Sequence, residues 1–197
     1  MGFSTLNEWL EFQQGINPKE IDLSLDRVQT LYNKLQINIP EKNVFLIGGT
    51  NGKGTTTSIL ERLFHKKGYT TGAFTSPHLS QYNERVRINL NNSFDEDWVS
   101  AFEIIETVRG DASLTYFEFS TLAAFQILSN HDCDAWFIEV GLGGRLDATN
   151  IIESSVSVLT SIAMDHEEWL GDSIDKIAKE KVGIAKRNRP LIFGDVV

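Results

Sequence analysis

The segment from Val44 to Gly68 constrains the fold more tightly than any other part of the chain. Val44-Phe45-Leu46-Ile47 is a short, continuous apolar run of the kind buried on both faces of a sheet. Gly48-Gly49-Thr50-Asn51-Gly52-Lys53-Gly54-Thr55 follows directly, and Ile59, Leu60, Leu63 and Phe64 then mark one face of an amphipathic helix closed by Gly68. The order is buried strand, glycine loop, helix. Two readings of the loop stand side by side. Glycines join many strands to helices as plain turns. Glycine amides at a helix N-terminus also cradle phosphate, and the lysine among them favours that reading, with Lys53 reaching the β/γ-phosphates. The segment departs from GxxxxGK[ST]: Ile47 occupies the first glycine position and Gly54 the place of the hydroxyl residue usually offered to Mg²⁺. A metal-binding hydroxyl must then come from elsewhere.

The rest of the chain repeats the alternation. Before the glycine loop, Trp9, Leu10 and Phe12 predict one helix, and Leu25, Val28, Leu31, Tyr32 and Leu35 a second, with a loop around Asn17 and Pro18. After it, strands are expected over 70–75, 135–140, 156–160 and 191–193. Helices are expected with Trp98, Phe102, Ile105 and Val108 on one face, entered at Ser93 or Asp95, then over 119–128 and 173–186. Strands alternating with helices predict an α/β fold with a doubly wound, mostly parallel sheet. The 197 residues, 41% hydrophobic, suit one domain with a substantial core. The final strand has no closing helix, so the ending reads as a truncation.

Charge narrows the partners. A net charge of −9 and a pI near 4.9 oppose nucleic acid or an anionic membrane, which need a basic face, so phosphate would be handled at a local site. The N-terminus lacks a basic segment followed by an apolar run, no stretch offers a membrane span, and a cytoplasmic monomer is expected. Cys133, the lone cysteine, is expected to be a small buried core residue, and His65 and His131 are assigned no chemistry.

In a doubly wound sheet, ligands sit beyond the carboxyl ends of the strands. Four strand ends carry suggestive residues: those after Ile47, Phe74, Val140 and Thr160. Ser76 either supplies the missing hydroxyl or merely opens a turn before Pro77. Glu139 ends an apolar strand ahead of Gly141-Leu142-Gly143-Gly144, as a water-facing charge or as an oxygen ligand for Mg²⁺. His166 reads as a hydrogen-bonded histidine or a ligand, and Lys181, beside Lys179 and Glu180, as half of a solvated ion pair or something more.

Six runs resemble motifs of the folylpolyglutamate synthase and dihydrofolate synthase family of Mur-type ligases, in the family's order. They are GTNGKGTT (49–56), TSPHL (75–79), NERVRI (83–88), SLTYFEFSTLAAF (113–125), EVGLGGRLDATNI (139–151) and EKVGI (180–184). The resemblance implies the central ATPase domain of a Mur ligase, with residues 1–197 an incomplete N-terminal ATP-binding domain that lacks the C-terminal ligase domain, and with ATP held by Thr50, Asn51, Gly52, Lys53, Gly54 and Thr55. It implies two Mg²⁺ ions, one on Ser76 and Glu139 and one on His166 and a carbamylated Lys181. Lys53, Glu139, His166 and Lys181 become the implied catalytic groups. Ile21, Asp22 and Leu23, then Thr115, Tyr116, Phe117 and Glu118, then Leu146, Asp147 and Ala148 match the segments that hold the pterin. The aromatic pair Tyr116-Phe117 reads equally as core packing. Val182 and Ala163-Met164 depart from the family's usual residues without touching an implied ligand.

The implied chemistry is ATP-dependent addition of L-glutamate to dihydropteroate or reduced folates through an acyl phosphate. Two rivals remain at this stage: a Mur-type ligase acting on a cell-wall precursor, and a P-loop nucleotide switch. A GTPase-like switch should carry NKxD downstream of the loop, whereas Asn33-Lys34-Leu35-Gln36 precedes it and lacks the acid.

Overall fold

The computed structural model describes residues 2–17, 22 and 24–194. Seven strands form one sheet among these residues: β1 (Val44–Gly48), β2 (Thr71–Phe74), β3 (Val86–Ile88), β4 (Asn91–Asn92), β5 (Ala135–Glu139), β6 (Val156–Leu159) and β7 (Leu191–Phe193), in the order β4-β3-β2-β5-β1-β6-β7. From β2 to β7 every pairing is parallel; β3 and β4 add an antiparallel edge. The connection leaving β1 runs to β2 and the one leaving β5 runs to β6, toward opposite edges. The crevice between the carboxyl ends of β1 and β5 is thus a topological switch point.

Successive side chains on the central strands face opposite sides. Val44, Leu46, Phe74, Trp136 and Ile138 point into the larger core, which is covered by α1 (Leu6–Ile16), α2 (Asp26–Tyr32), α4 (Asp95–Arg109) and α5 (Tyr116–Asn130). Ile47, Ala73, Ala135 and Phe137 face α3 (Lys53–Lys66) on the other side. Both faces of β1, β2 and β5 are covered, which is why these strands read as unbroken apolar runs. Cys133 is buried, and burial pushes its thiol up to about 12, as a core residue requires.

Several local expectations are corrected. On α3, Ile59 and Leu63 are 53% and 54% exposed, whereas Thr57 and Glu61 are buried beside the partly buried Leu60 and Phe64. The helix lays Leu60 and Phe64 on the sheet and turns Glu61 toward Arg87 of β3, an ion pair that apolar periodicity does not reveal. The β3–β4 edge is too short and too polar to stand out in the sequence. At α4 the N-cap is Phe94, whose N–H donates to the Asp97 carboxylate (2.9 Å); Asp95 is the first helical residue, and Ser93 accepts from Trp98 Nε1 (2.8 Å). The helix expected over 173–186 is α7, shortened to Ile174–Val182. It ends where Gly183 lies against Arg145, so close that a Cβ would sit 2.8 Å from Arg145 Cα. Before it comes the four-residue α6 (Glu167–Leu170). No helix among the described residues is long and apolar enough to cross a membrane.

Candidate active site

The glycine loop leaves β1 against the end of β6. Gly49 has φ 137°, and a Cβ there would lie 2.0 Å from Thr160 Oγ1, so only glycine fits. Thr50 and Asn51 anchor the loop. Thr50 N–H donates to Ser161 O (2.8 Å), Asn51 N–H donates to Ser161 Oγ (3.0 Å), and Thr50 Oγ1 accepts from Ala163 N–H (3.0 Å). Gly52, at φ 84°, then turns the chain into α3, whose first amides have no intrahelical acceptors and converge at a site suited to anions. Lys53 begins that helix, its Nζ donating to Gly49 O (3.0 Å) and Thr50 O (3.2 Å).

Gly49 O receives a second lysine. Lys181, on α7, is 3% exposed and donates from Nζ to Gly49 O (3.2 Å). Its neighbour Glu180 is engaged instead with Arg145 (2.9 Å), so a solvated Lys181–Glu180 pair is excluded. Burial lowers the Lys181 pKa first, and the Lys53 charge lowers it further, against the pull of Asp165 and Asp147.

Glu139 ends β5 behind the loop, 5% exposed. Its Oε2 accepts the Ser76 N–H (3.2 Å), and a Cβ on Gly54 would lie 3.5 Å from the same oxygen. The glycine in the usual hydroxyl position thus faces the carboxylate directly, and Ser76, on the loop after β2, meets the same carboxylate through its backbone N–H. A buried carboxylate beside a serine at a strand end is a donor set that suits a hard divalent cation. Burial raises the Glu139 pKa, opposed by the Ser76 N–H and by the charges of Lys53 and Arg87. His166 is the N-cap of α6, half-exposed at φ 49°, its Nε2 3.6 Å from Asp165 Oδ2. Among the described residues, no three His, Cys, Asp or Glu side chains stand together as a ready metal cluster.

A cavity of about 250 Å³ opens beside this centre. Asp22, Thr115, Phe117, Glu118, Leu146, Asp147 and Ala148 line it, so the three segments matched to the pterin meet there, together with a fourth that carries Ser76 and Pro77. Ile21 and Leu23 lie outside the described residues. The aromatic pair divides: Phe117 forms the wall against Gly141, where a Cβ would lie 2.5 Å from its Cζ, while Tyr116 packs toward Tyr82. Glu118 has structural duties as well, accepting the Thr115 N–H (2.8 Å) and pairing with Arg27 (2.9 Å), which also binds Asp22 (2.8 Å). Asp147 shapes the glycine-rich turn by accepting from Leu142 N–H (2.8 Å) and Thr149 N–H (2.9 Å); burial pushes its carboxyl up against those donors.

Arg85 also lines the cavity, and motif reading assigned it no role. It is 7% exposed and has no carboxylate partner among the described residues. Its Nε donates to His78 Nδ1 (3.0 Å), and its guanidinium lies over the Tyr82 and Tyr116 rings, at 5.1 and 5.7 Å. The signal was present in Asn83-Glu84-Arg85-Val86-Arg87, but nothing in spacing distinguishes its two arginines.

A glycine loop at a switch point, with a strand-end carboxylate behind it, defines a P-loop-type α/β domain. The Mur ligase middle-domain model matches residues 47–192, and the chain belongs to that family. It is 44% identical over 192 residues to the dihydrofolate synthase/folylpolyglutamate synthase of Escherichia coli, covering 98% of this chain and 46% of that protein. The Haemophilus influenzae protein of the same name is 46% identical over 192 residues, covering 98% and 44%. Among solved structures, E. coli FolC in complex with DHPP and ADP superposes with a TM-score of 0.95 at 44% identity, over 98% of this chain and 46% of that one. A bifunctional folylpolyglutamate synthase/dihydrofolate synthase with Mn, AMPPNP and L-glutamate bound gives 0.90 at 42% identity, over 97% and 46%. The chain spans about half the length of these relatives.

Because the Glu139 pKa is raised on folding, ionising this residue opposes the folded state once pH exceeds the unfolded carboxylate pKa. Glu139→Gln should therefore raise the Tm of the protein at pH 7 without metal or nucleotide, with the gain shrinking as pH falls into the carboxylate range. Thermal melts of both proteins across pH check this; a Tm below wild type at pH 7 contradicts it.

Proposed function

We propose that the full-length protein is an ATP-dependent ligase that adds L-glutamate both to dihydropteroate and to reduced folates already carrying glutamate. The observation that carries this reading is a shared residue: Ser76 lines the acceptor cavity while its amide binds Glu139 beside the glycine loop. An acceptor seated in the cavity has its reactive end next to the phosphate site. The relatives named above, which are called by both activities or bind DHPP, ADP and L-glutamate, support the same reading.

In the proposed reaction, an oxygen of the acceptor carboxylate attacks the γ-phosphorus of ATP, and the bond to the β,γ-bridging oxygen breaks to release ADP. The resulting acyl phosphate is attacked at its carbonyl carbon by the glutamate amine, which loses a proton as phosphate departs. The protein's contribution is positioning and charge. The α3 amides and Lys53, swung from the loop carbonyls, hold the phosphates. Arg85, a buried cation at the cavity wall, orients the acceptor carboxylate. Ser76 and Glu139 would hold one Mg²⁺, and His166 with Lys181 a second; such ions supply charge stabilisation to a transferring phosphoryl group.

The second position requires Lys181 to become an anion. Its neutral amine would attack CO₂ and lose a proton, leaving a carbamate. Burial and the nearby Lys53 favour the neutral amine. The conversion would also turn repulsion between the two lysines at Gly49 O into attraction. With Mg²⁺, nucleotide and bicarbonate present, native mass spectrometry should show an increment of one CO₂ that Lys181→Met abolishes; no increment removes the second-metal proposal.

Lys53→Ala in the full-length enzyme should lower kcat about 10²–10³-fold, with little change in Tm, because Nζ contacts only loop carbonyls. Turnover near wild type excludes its phosphate role.

Incubating the full-length enzyme with ATP, Mg²⁺, L-glutamate and each acceptor separately tests the whole assignment. Glutamate-dependent phosphate release with both acceptors is expected. Product from folate alone reduces it to a folylpolyglutamate synthase, and hydrolysis indifferent to glutamate favours a nucleotide switch.

A further inference from the structure

Behind Ser76 lies an ion pair to which the mechanism assigns no part. Glu61, two turns along α3 from Lys53, is 1% exposed and accepts from Arg87 Nε (2.9 Å) and NH2 (2.8 Å), both at Oε2. The third prong, NH1, donates to Thr75 Oγ1 (3.2 Å). Thr75 is the residue before Ser76, and its own N–H donates to Arg85 O (2.8 Å). One guanidinium therefore ties the helix carrying the glycine-loop lysine to the strand end that presents Ser76.

Stability alone is a poor reason for this arrangement. Glu61 Oε1 is buried without a hydrogen-bond partner, and a buried ion pair with an unmet oxygen costs desolvation that an apolar pair would avoid. What an apolar pair lacks is a fixed direction. The planar fork makes three hydrogen bonds at once, two to Glu61 Oε2 and one to Thr75 Oγ1, and so fixes the separation between α3 and the end of β2. That separation sets how Gly54, Glu139 and Ser76 face one another.

We propose that Arg87, oriented by Glu61, is a positioning residue that acts through Thr75 to set the divalent-cation site formed by Ser76 and Glu139. The inference rests on the proposed cation role of those two residues. Supporting groups of this kind govern affinity by holding ligands in place, and their loss weakens metal binding on the order of tenfold or more.

The test uses full-length protein and two conservative variants. Arg87→Lys keeps the charge opposite Glu61 but loses the fork, and Thr75→Val removes the hydroxyl that accepts from Arg87 and also donates to Glu84 O (3.4 Å), while leaving the ion pair intact. Mn²⁺ affinity is read by electron paramagnetic resonance with ADP present, ADP affinity is read without metal, and Tm is measured for each. Both variants should weaken Mn²⁺ binding on the order of tenfold, with metal-free ADP affinity and Tm retained. Wild-type Mn²⁺ affinity in Thr75→Val overturns the proposal. So does a parallel fall in Mn²⁺ affinity, ADP affinity and Tm, which would mark a clamp that serves the fold alone. Wild-type protein that binds no Mn²⁺ with ADP would instead remove the ligase reading, and this inference with it.

Discussion

The site depends on how closely the loop after β1 approaches the end of β6. At Gly49 the backbone passes Thr160 with no room for a side chain, and its positive φ turns the carbonyl to where both Lys53 and Lys181 donate to it. Thr160 completes the contact by donating from Oγ1 to Asn51 O (2.7 Å) and Gly48 O (3.2 Å). Two lysines from different helices are thus gathered on one carbonyl, and the charge of Lys53 acts on the Glu139 carboxylate. A side chain at residue 49 would separate the loops and disperse these charges together. The sheet order serves this contact, because β1 stands between β5, which brings Glu139, and β6, which brings Thr160.

The charges are held against the folded state's own interest. Glu139, Glu61, Asp147 and Lys181 are all at least nine-tenths buried, and burying an ionised group costs free energy that pairing offsets only in part. The protein meets that cost with an aromatic core under α1, α4 and α5, where Trp9, Trp98, Phe102, Phe119, Phe125 and Trp136 are fully covered. The cavity borders that core, since Phe117 and Glu118 of α5 line it, and the buried charges collect at the strand ends.

The parts of this arrangement that were legible in the sequence are those written in local spacing. The apolar runs of β1, β5 and β6 and the glycines after β1 reveal a doubly wound sheet, because burial on both faces leaves a contiguous signature. The segments around Thr115 and Leu146 could be matched as motifs, yet only the fold shows that they share a cavity with Ser76. What stayed hidden was set by tertiary partners. Ile59 and Leu63 satisfy a helical period as well as Leu60 and Phe64 do, and only tertiary partners, the Phe45 and Phe137 rings beside Phe64 and Arg87 beside Glu61, show which face of α3 turns inward. Arg85 and Arg87 are indistinguishable in a motif: two residues apart, they would share one face of a strand, but Arg85 ends a 3-10 turn ahead of β3 and lines the cavity, while Arg87 lies on β3 and meets Glu61. Tyr116 and Phe117, adjacent and both aromatic, divide for a related reason: neighbouring positions on a helix point in different directions.

Gly54 shows what moving one hydroxyl achieves. In the common phosphate loop, the residue after the lysine is a serine or threonine, so the metal-binding oxygen belongs to the loop itself. Here that position has no side chain and lies against Glu139, and the serine stands on the loop after β2, which also forms part of the cavity wall. In the proposed ligase, the cation ligand and the acceptor would therefore share one short segment, Ser76-Pro77. Any shift of that segment when the cavity fills would be felt at the carboxylate, because the Ser76 amide is hydrogen-bonded to Glu139. A loop carrying its own hydroxyl would bind nucleotide and metal without reference to a second substrate. In the proposed ligase, an oxygen on the neighbouring strand end would make the phosphate site responsive to the acceptor, a coupling suited to transfer of a phosphoryl group to a carboxylate rather than to water.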